Sequence, residues 1–211
     1  MVEYEKIGLY RIDIDYVKYL HDKDSQVFYT SQDNYYKKPY LGLIANLNGY
    51  KYCIPLTSRK PHHRNWKNVT PHNYIIYEIV KKRELQHGDI YKQLGNTDKY
   101  KKILSVLEIR KMIPVKNGLY KYIDFNEIDN SDGYRDLLYK EYNFIKKIKN
   151  SILSKAEKLY NDQINTGIIG KCYCNFSILE EAMKNYRVIS DAELEVAVTD
   201  IKKSTDKQKT K

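Results

Sequence analysis

Hydrophobic and polar positions divide the chain into a first half patterned for strands and a second half patterned for helices. From Ile7 to Ile14 the run IGLYRIDI mixes β-branched and aromatic residues with polar ones and reads as a first strand. Asp15 is placed to cap a short helix, YVKYLHDKD, that buries Tyr16, Tyr19 and Leu20 on one side. The polar stretch from Ser25 to Lys38 has no period and reads as a loop, where binding residues tend to sit. YLGLIANL and YKYCIPLTS follow, parted only by Asn48-Gly49, the pair favoured where a two-residue type I′ turn needs positive φ twice. This hairpin is the strongest local signal. Pro55 has no amide donor, so the chain is expected to leave the sheet around Leu56 and present Thr57 and Ser58 at its edge. YIIYEIV and VLEIRKMIPV read as further strands, with a polar, partly helical stretch from Lys81 to Lys102 between them.

The period then changes. Between Tyr134 and Tyr160, Leu138, Tyr142, Ile145, Ile148, Ile152 and Leu159 recur at three- and four-residue steps, while Lys140, Lys146, Lys147 and Lys149 fall largely off that stripe. One long amphipathic helix is predicted. NFSILEEAMKNY predicts a shorter one, capped by Asn175 or Ser177. Beyond Asp191 the residues are charged and repetitive, as in a disordered tail. The expected organisation is α+β: a single domain over residues 1–190 and a tail over 191–211, since a chain of 211 residues suits one core.

Charge adds a partner class. Lys+Arg 37 against Asp+Glu 27 gives a formal net charge of +10, which favours a polyanion such as nucleic acid. Lys, Asn, Ile and Tyr are abundant together, however, and an AT-rich genome would produce the same bias without selection for binding. The 22 tyrosines could stack on unpaired bases, although most of them belong in ordinary core or strand positions. Cys53, Cys172 and Cys174 form neither a disulfide framework nor a zinc-ligand set, which suits a reducing cytoplasm. No signal peptide opens the sequence and no uncharged run has transmembrane length, so a cytoplasmic protein with no membrane role is expected.

The chemistry concentrates after the second hairpin arm. Thr57, Ser58, Arg59, Lys60, His62, His63 and Arg64 place hydroxyls, cations and imidazoles in one short span. Hydroxyls can donate to the non-bridging oxygens of a phosphodiester, and cations can neutralise the charge that builds there. The alternative is a solvated basic turn after an edge strand. Carboxylates in this region are scattered, so neither a metal pair nor any other cofactor is expected. No helix-turn-helix with a basic second helix can be picked out, which argues against DNA.

KKPYLGLI, the Asn-Gly hairpin, IPLTSRK, IRKMIPV, LLYKEYNFI and CNFSILEE, in this order between Ile7 and Tyr186, resemble the ToxN/AbiQ family. These are endoribonuclease toxins of type III toxin-antitoxin systems. The resemblance implies a strongly bent antiparallel sheet, related to the small barrels of MazF- and Kid-like toxins and wrapped by helices. It implies RNA cleavage through the adjacent 2′-hydroxyl to a 2′,3′-cyclic phosphate, with no metal. The partner it implies is a small repeated antitoxin RNA, folded as a pseudoknot, that closes with the toxin into a ring. Cellular or phage mRNA would be the substrate of free toxin, with growth arrest or abortive infection as the outcome.

By the same resemblance Thr57 and Ser58 match the family's hydroxyl pair, Lys60 the lysine after it, Lys38 the lysine before the first hairpin strand, and Tyr16 a tyrosine of the early helix. Lys38 and Lys60 are expected to stabilise charge, and Thr57 and Ser58 to hold the scissile phosphate; the proton-transfer roles stay open. Tyr16, Arg59, His62, His63 and Arg64 are expected to contact RNA. Tyr35 and Tyr36 are base-stacking candidates or ordinary loop aromatics, and Tyr139 touches RNA or packs. A non-catalytic protein that only holds structured RNA is the alternative function.

Overall fold

The structure, a computed structural model, describes residues 8–29, 40–129, 131 and 133–187. Elements in chain order are β1 (Tyr10–Ile12), α1 (Ile14–Lys23), β2 (Tyr40–Leu47), β3 (Tyr50–Ser58), β4 (Asn73–Lys81), β5 (Tyr91–Gln93), β6 (Lys99–Glu108), β7 (Ile113–Val115), β8 (Tyr120–Tyr122), α2 (Tyr134–Thr166) and α3 (Phe176–Asn185). The expected α+β architecture is what forms: one curled antiparallel sheet in the order β4-β6-β3-β2-β1-β8, with β5 also on β6 and β7 also on β3. Among the described residues no helix is long and apolar enough to cross a membrane. The expected tail over 191–211 lies outside the described residues.

The β2–β3 hairpin turns as its sequence requires, with φ of 51° at Asn48 and 83° at Gly49. Pro55 behaves differently from expectation. The strand does not leave the sheet at Leu56; it changes neighbours. Lys51–Cys53 pair with β7, and Leu56–Ser58 pair with Leu107, Val106 and Ser105 of β6. Pro55, which cannot donate to a ladder, sits near the changeover, opposite Gly42 of β2 on the other edge.

Four other expectations are corrected. The cap of α1 is Asp13, whose carboxylate accepts from the Tyr16 N–H at 2.8 Å, two residues before Asp15. The stretch between Lys81 and Lys102 holds only a three-residue 3-10 turn at Lys82–Glu84, then β5 and the start of β6; its tyrosines and lysines alternate on a strand instead of repeating at helical steps. VLEIRKMIPV breaks at a 3-10 turn, Ile109–Lys111, into the end of β6 and β7. The long helix continues past Tyr160 to Thr166, where Gly167 closes it at φ 68°.

The main core lies between one face of the sheet and the helices, around Tyr16, Tyr52, Ile54, Ile76, Leu107, Ile152 and Phe176. Glu180 and Gln163 tie buried polar groups of this core together. The Tyr52 and Tyr160 hydroxyls both donate to Glu180 Oε1, at 2.7 and 2.9 Å, and burial together with that carboxylate raises Tyr160 to about 12. Gln163 of α2 accepts from the Phe176 N–H at 2.7 Å and donates to the Cys174 carbonyl at 3.0 Å, so one side chain joins α2 to the start of α3. A smaller cluster, Ile75, Ile90, Ile103 and Val106 with Trp66 and Tyr77 against it, forms separately from the main core.

β6 organises the functional end. β4 occupies one of its edges from Lys99 to Glu108. The opposite edge is divided: β3 pairs with residues 105–107 and β5 with residues 100–102. β5 therefore takes up the line of β3 beyond Ser58, leaving a gap opposite Leu104. The Ile103 N–H donates to the Ile90 carbonyl at 2.7 Å, which extends the β5–β6 pairing up to the gap. Glu141 of α2 is buried close to Ser105 of β6. Burial raises its carboxyl to about 7, and the Ser105 hydroxyl offsets less than burial costs.

Two stability effects are expected. A Cβ at Gly42 would stand closer than 3.0 Å to the Ile54 carbonyl oxygen, which belongs to the backbone and cannot swing away. Gly42→Ala should cost at least about 2 kcal/mol in thermal or denaturant unfolding, and an unchanged midpoint would refute this packing. Glu141 binds its proton more tightly folded than unfolded, so its contribution is present below the unfolded carboxyl range and is lost as pH rises through about 7. Glu141→Gln should therefore gain stability relative to wild type at pH 8 compared with pH 5, by an amount on the order of 3 kcal/mol at most. Equal differences at the two pH values would show that the carboxyl is not buried uncharged.

Candidate active site

The end of β3 presents its side chains alternately. Thr57, level with Val106, is half-buried, and its hydroxyl donates to the Val106 carbonyl at 3.4 Å. Ser58, level with Ser105, is exposed at the gap between β3 and β5. Arg59 follows, and exposed Lys60 opens a 3-10 turn, Pro61–Asn65, whose first turn carries Pro61 where a lost N–H costs nothing.

That turn is pinned from inside. His63 is only 3% exposed, and its Nδ1 accepts from the Lys60 N–H at 3.0 Å. An accepting Nδ1 places the ring proton on Nε2. Burial, with His62, Lys60 and Lys92 nearby, pulls this imidazole down to about 4, so it is neutral at physiological pH. Trp66 rests against both imidazoles, with ring centroids 5.5 Å from His62 and 4.7 Å from His63. The Lys92 ammonium of β5 donates to the Trp66 carbonyl and, at 3.1 Å, to Asn68 Oδ1. Lys60 therefore projects from a fixed backbone.

A chain of opposite charges crosses the gap. Arg59 lies 3.8 Å from Asp89 Oδ1, Asp89 Oδ2 is 3.0 Å from Lys102, Lys102 is 3.9 Å from Glu78, and Glu78 is 2.7 Å from Lys140 on α2. Asp89 is buried and also accepts from the Gln86 N–H at 2.9 Å. Burial alone would raise its carboxyl; the Gln86 amide and the Lys102 and Arg59 cations outweigh that and hold it below the usual carboxylate range. Among the described residues no three His, Cys, Asp or Glu side chains form a metal-binding group.

Thr57, Ser58, Arg59, Lys60, His62 and Arg64 thus lie together at exposed or half-buried positions of one strand end and turn. The Arg64 guanidinium stands 5.4 Å from the Tyr91 ring of β5, on the far side of the gap. Lys38, Tyr35 and Tyr36 lie outside the described residues. Two expected RNA contacts are corrected. Tyr16 is fully buried, its hydroxyl donating to the Pro114 carbonyl at 2.8 Å, because the apolar side of α1 faces the core. His63 is spent on the turn just described. Tyr139 is 56% exposed, with its ring edge-on to Phe125. Sequence reasoning missed Asp89, Lys102 and Glu78, which are brought in by strand pairing across long separations.

The comparisons with known proteins agree on one family. A model described as the toxin ToxN of type III toxin-antitoxin systems matches residues 8–184. A protein named Endoribonuclease ToxN from Bacillus thuringiensis subsp. kurstaki is 30% identical over 185 residues, covering 83% of this chain and 82% of the relative. Another of that name, from Pectobacterium atrosepticum, is 29% identical, covering 84% and 92%. Among solved structures, one from work on selective toxin inhibition by a non-coding RNA pseudoknot is 25% identical with a TM-score of 0.62, covering 86% of this chain and 98% of its own. The lactococcal anti-phage endoribonuclease AbiQ, at 20% identity and a TM-score of 0.60, shares the fold over 85% of this chain and 97% of its own. The chain belongs to the ToxN toxin family of type III toxin-antitoxin systems.

Proposed function

We propose that this chain is a toxin endoribonuclease that cleaves RNA by making the substrate attack itself. The ribose 2′-hydroxyl loses its proton and bonds to the adjacent phosphorus, the 5′-oxygen leaves and takes a proton, and a 2′,3′-cyclic phosphate remains. Because the nucleophile is the substrate's own hydroxyl, the protein has to hold the phosphate, offset the charge that grows on its oxygens, and move protons. Thr57 and Ser58 hold the phosphate, and Lys60, with Lys38, offsets the charge. No metal takes part.

The observation that carries this reading is the pairing of an exposed Ser58 hydroxyl and an exposed Lys60 at the end of β3, on a turn whose backbone is fixed by His63. The relatives named as endoribonucleases, which match over most of their length, support the activity. His63, held at about 4 with Nδ1 occupied, is a poor base at neutral pH and serves the turn. The regulator of the reading is a small structured RNA, in line with the pseudoknot that inhibits the related toxin, and the net charge of +10 suits that partner. Cellular or phage transcripts are the substrates of the uninhibited protein.

Ser58→Ala should lower the cleavage rate by about 10²- to 10³-fold, the range for removing one oxyanion donor, while RNA affinity in a filter-binding assay changes only a few-fold. Wild-type cleavage should persist in EDTA and stop when the ribose at the cut site is replaced by 2′-deoxyribose. Cutting at the deoxy position would rule out 2′-attack. A wild-type protein that binds RNA and never cuts it would leave the non-catalytic binder instead.

A further inference from the structure

The gap between β3 and β5 brings a carboxylate next to a site that needs positive charge. Asp89 has a side chain only 4% exposed; the Gln86 N–H and the Lys102 ammonium lie within hydrogen-bond distance of it, and a terminal nitrogen of Arg59 forms a looser ion pair at 3.8 Å. A buried carboxylate keeps its charge only when matched in this way. Arg59, by contrast, has a side chain 37% exposed and directly follows Ser58. A guanidinium carries five N–H donors, and the contact with Asp89 is made at a single terminal nitrogen, so donors remain for a second anion. Asp89 also precedes Ile90, whose carbonyl accepts from Ile103 of β6, so the carboxylate stands on backbone fixed to β6.

We propose that Asp89 is a positioning residue: it holds the Arg59 guanidinium at the strand gap so that its remaining donors meet an RNA backbone phosphate beside the one engaged by Ser58. The assignment rests on the nuclease reading above and extends it to a residue distant in sequence. Lys102 is the second anchor of the same carboxylate; with Glu78 on its other side it is neutralised, and it keeps Asp89 charged without itself facing the RNA. Arg59 then acts as a preorganised donor. A freely moving arginine would have to be ordered at each encounter, whereas one held by a buried carboxylate has already lost that freedom.

The test is a double-mutant cycle on cleavage of a mixed-sequence oligoribonucleotide, with thermal unfolding of each variant alongside. Asp89→Asn keeps the shape and removes the charge, and Arg59→Ala removes the positioned group. Each should lower kcat/KM by about ten- to a hundredfold, the scale of losses from misplacing a group by around an ångström. The double variant should be no slower than Arg59→Ala alone, because Asp89 acts through Arg59. Losses that multiply would overturn the proposal, since they would mean that Asp89 acts elsewhere or only stabilises the fold.

Should Asp89→Asn fail to fold, Arg59→Lys decides. It keeps the charge and loses the planar fork that meets carboxylate and phosphate at once, so it should lose as much activity as Arg59→Ala. A lysine variant within twofold of wild type would overturn the proposal. Cleavage by wild type with multiplying losses removes Asp89's role alone, whereas no cleavage by wild type removes the nuclease reading and this proposal together.

Discussion

The functional end of the molecule depends on how one edge of β6 is shared. A ten-residue strand has room for two short partners in line, and it takes β3 as far as Ser58 and β5 from Tyr91 onward. Had β3 continued, Ser58 and the residues after it would have been absorbed into the ladder, with hydroxyl and cations spread along a regular strand. Because β3 stops, the chain turns out at Arg59 and Lys60, and polar groups collect where two strand ends face each other. The change of neighbour near Pro55 serves the same end, since it carries the strand from β7 to β6 without a break.

Electrostatics at this edge are arranged in pairs and in depth. Buried carboxylates at Asp89 and Glu108 each face a cation that is more exposed than they are, Arg59 and Arg110 respectively, so negative charge lies inside and positive charge outside. At these two positions an outward cation is held by an inward partner, which reduces repulsion among cations without cancelling the field that a phosphate would feel. The buried imidazole of His63 fits the same logic, since a neutral ring adds no charge beneath Lys60.

The parts of this architecture set by neighbouring residues could be read directly. Asn48-Gly49 announced its turn, the three- and four-residue spacing from Leu138 onward announced α2, and the Thr57–Lys60 span stood out as dense chemistry. The errors fell where tertiary pairing outweighs local pattern. Lys81 to Lys102 is polar because β5 and the start of β6 lie at an exposed end of the sheet, and polarity alone does not separate such strands from helix. The apolar side of α1 announces the burial of Tyr16, which only the family resemblance points to RNA; His63 carries no such mark, and what buries it is the packing of Trp66 on the turn. Asp89 had no local signature at all, since its meaning comes from Arg59 and Lys102, which reach it through the register of β6.

The clamp of Tyr52 and Tyr160 on Glu180 has a consequence for the timing of synthesis. Tyr52 belongs to the same strand as Ser58, yet its hydroxyl is matched by a carboxylate 128 residues further on. An emerging chain that has made the whole sheet still carries that buried phenol unmatched until α3 is translated. Closing so distant a contact is slow compared with forming a local turn. Final consolidation of β3 therefore waits for α3, the last of the described elements to be made.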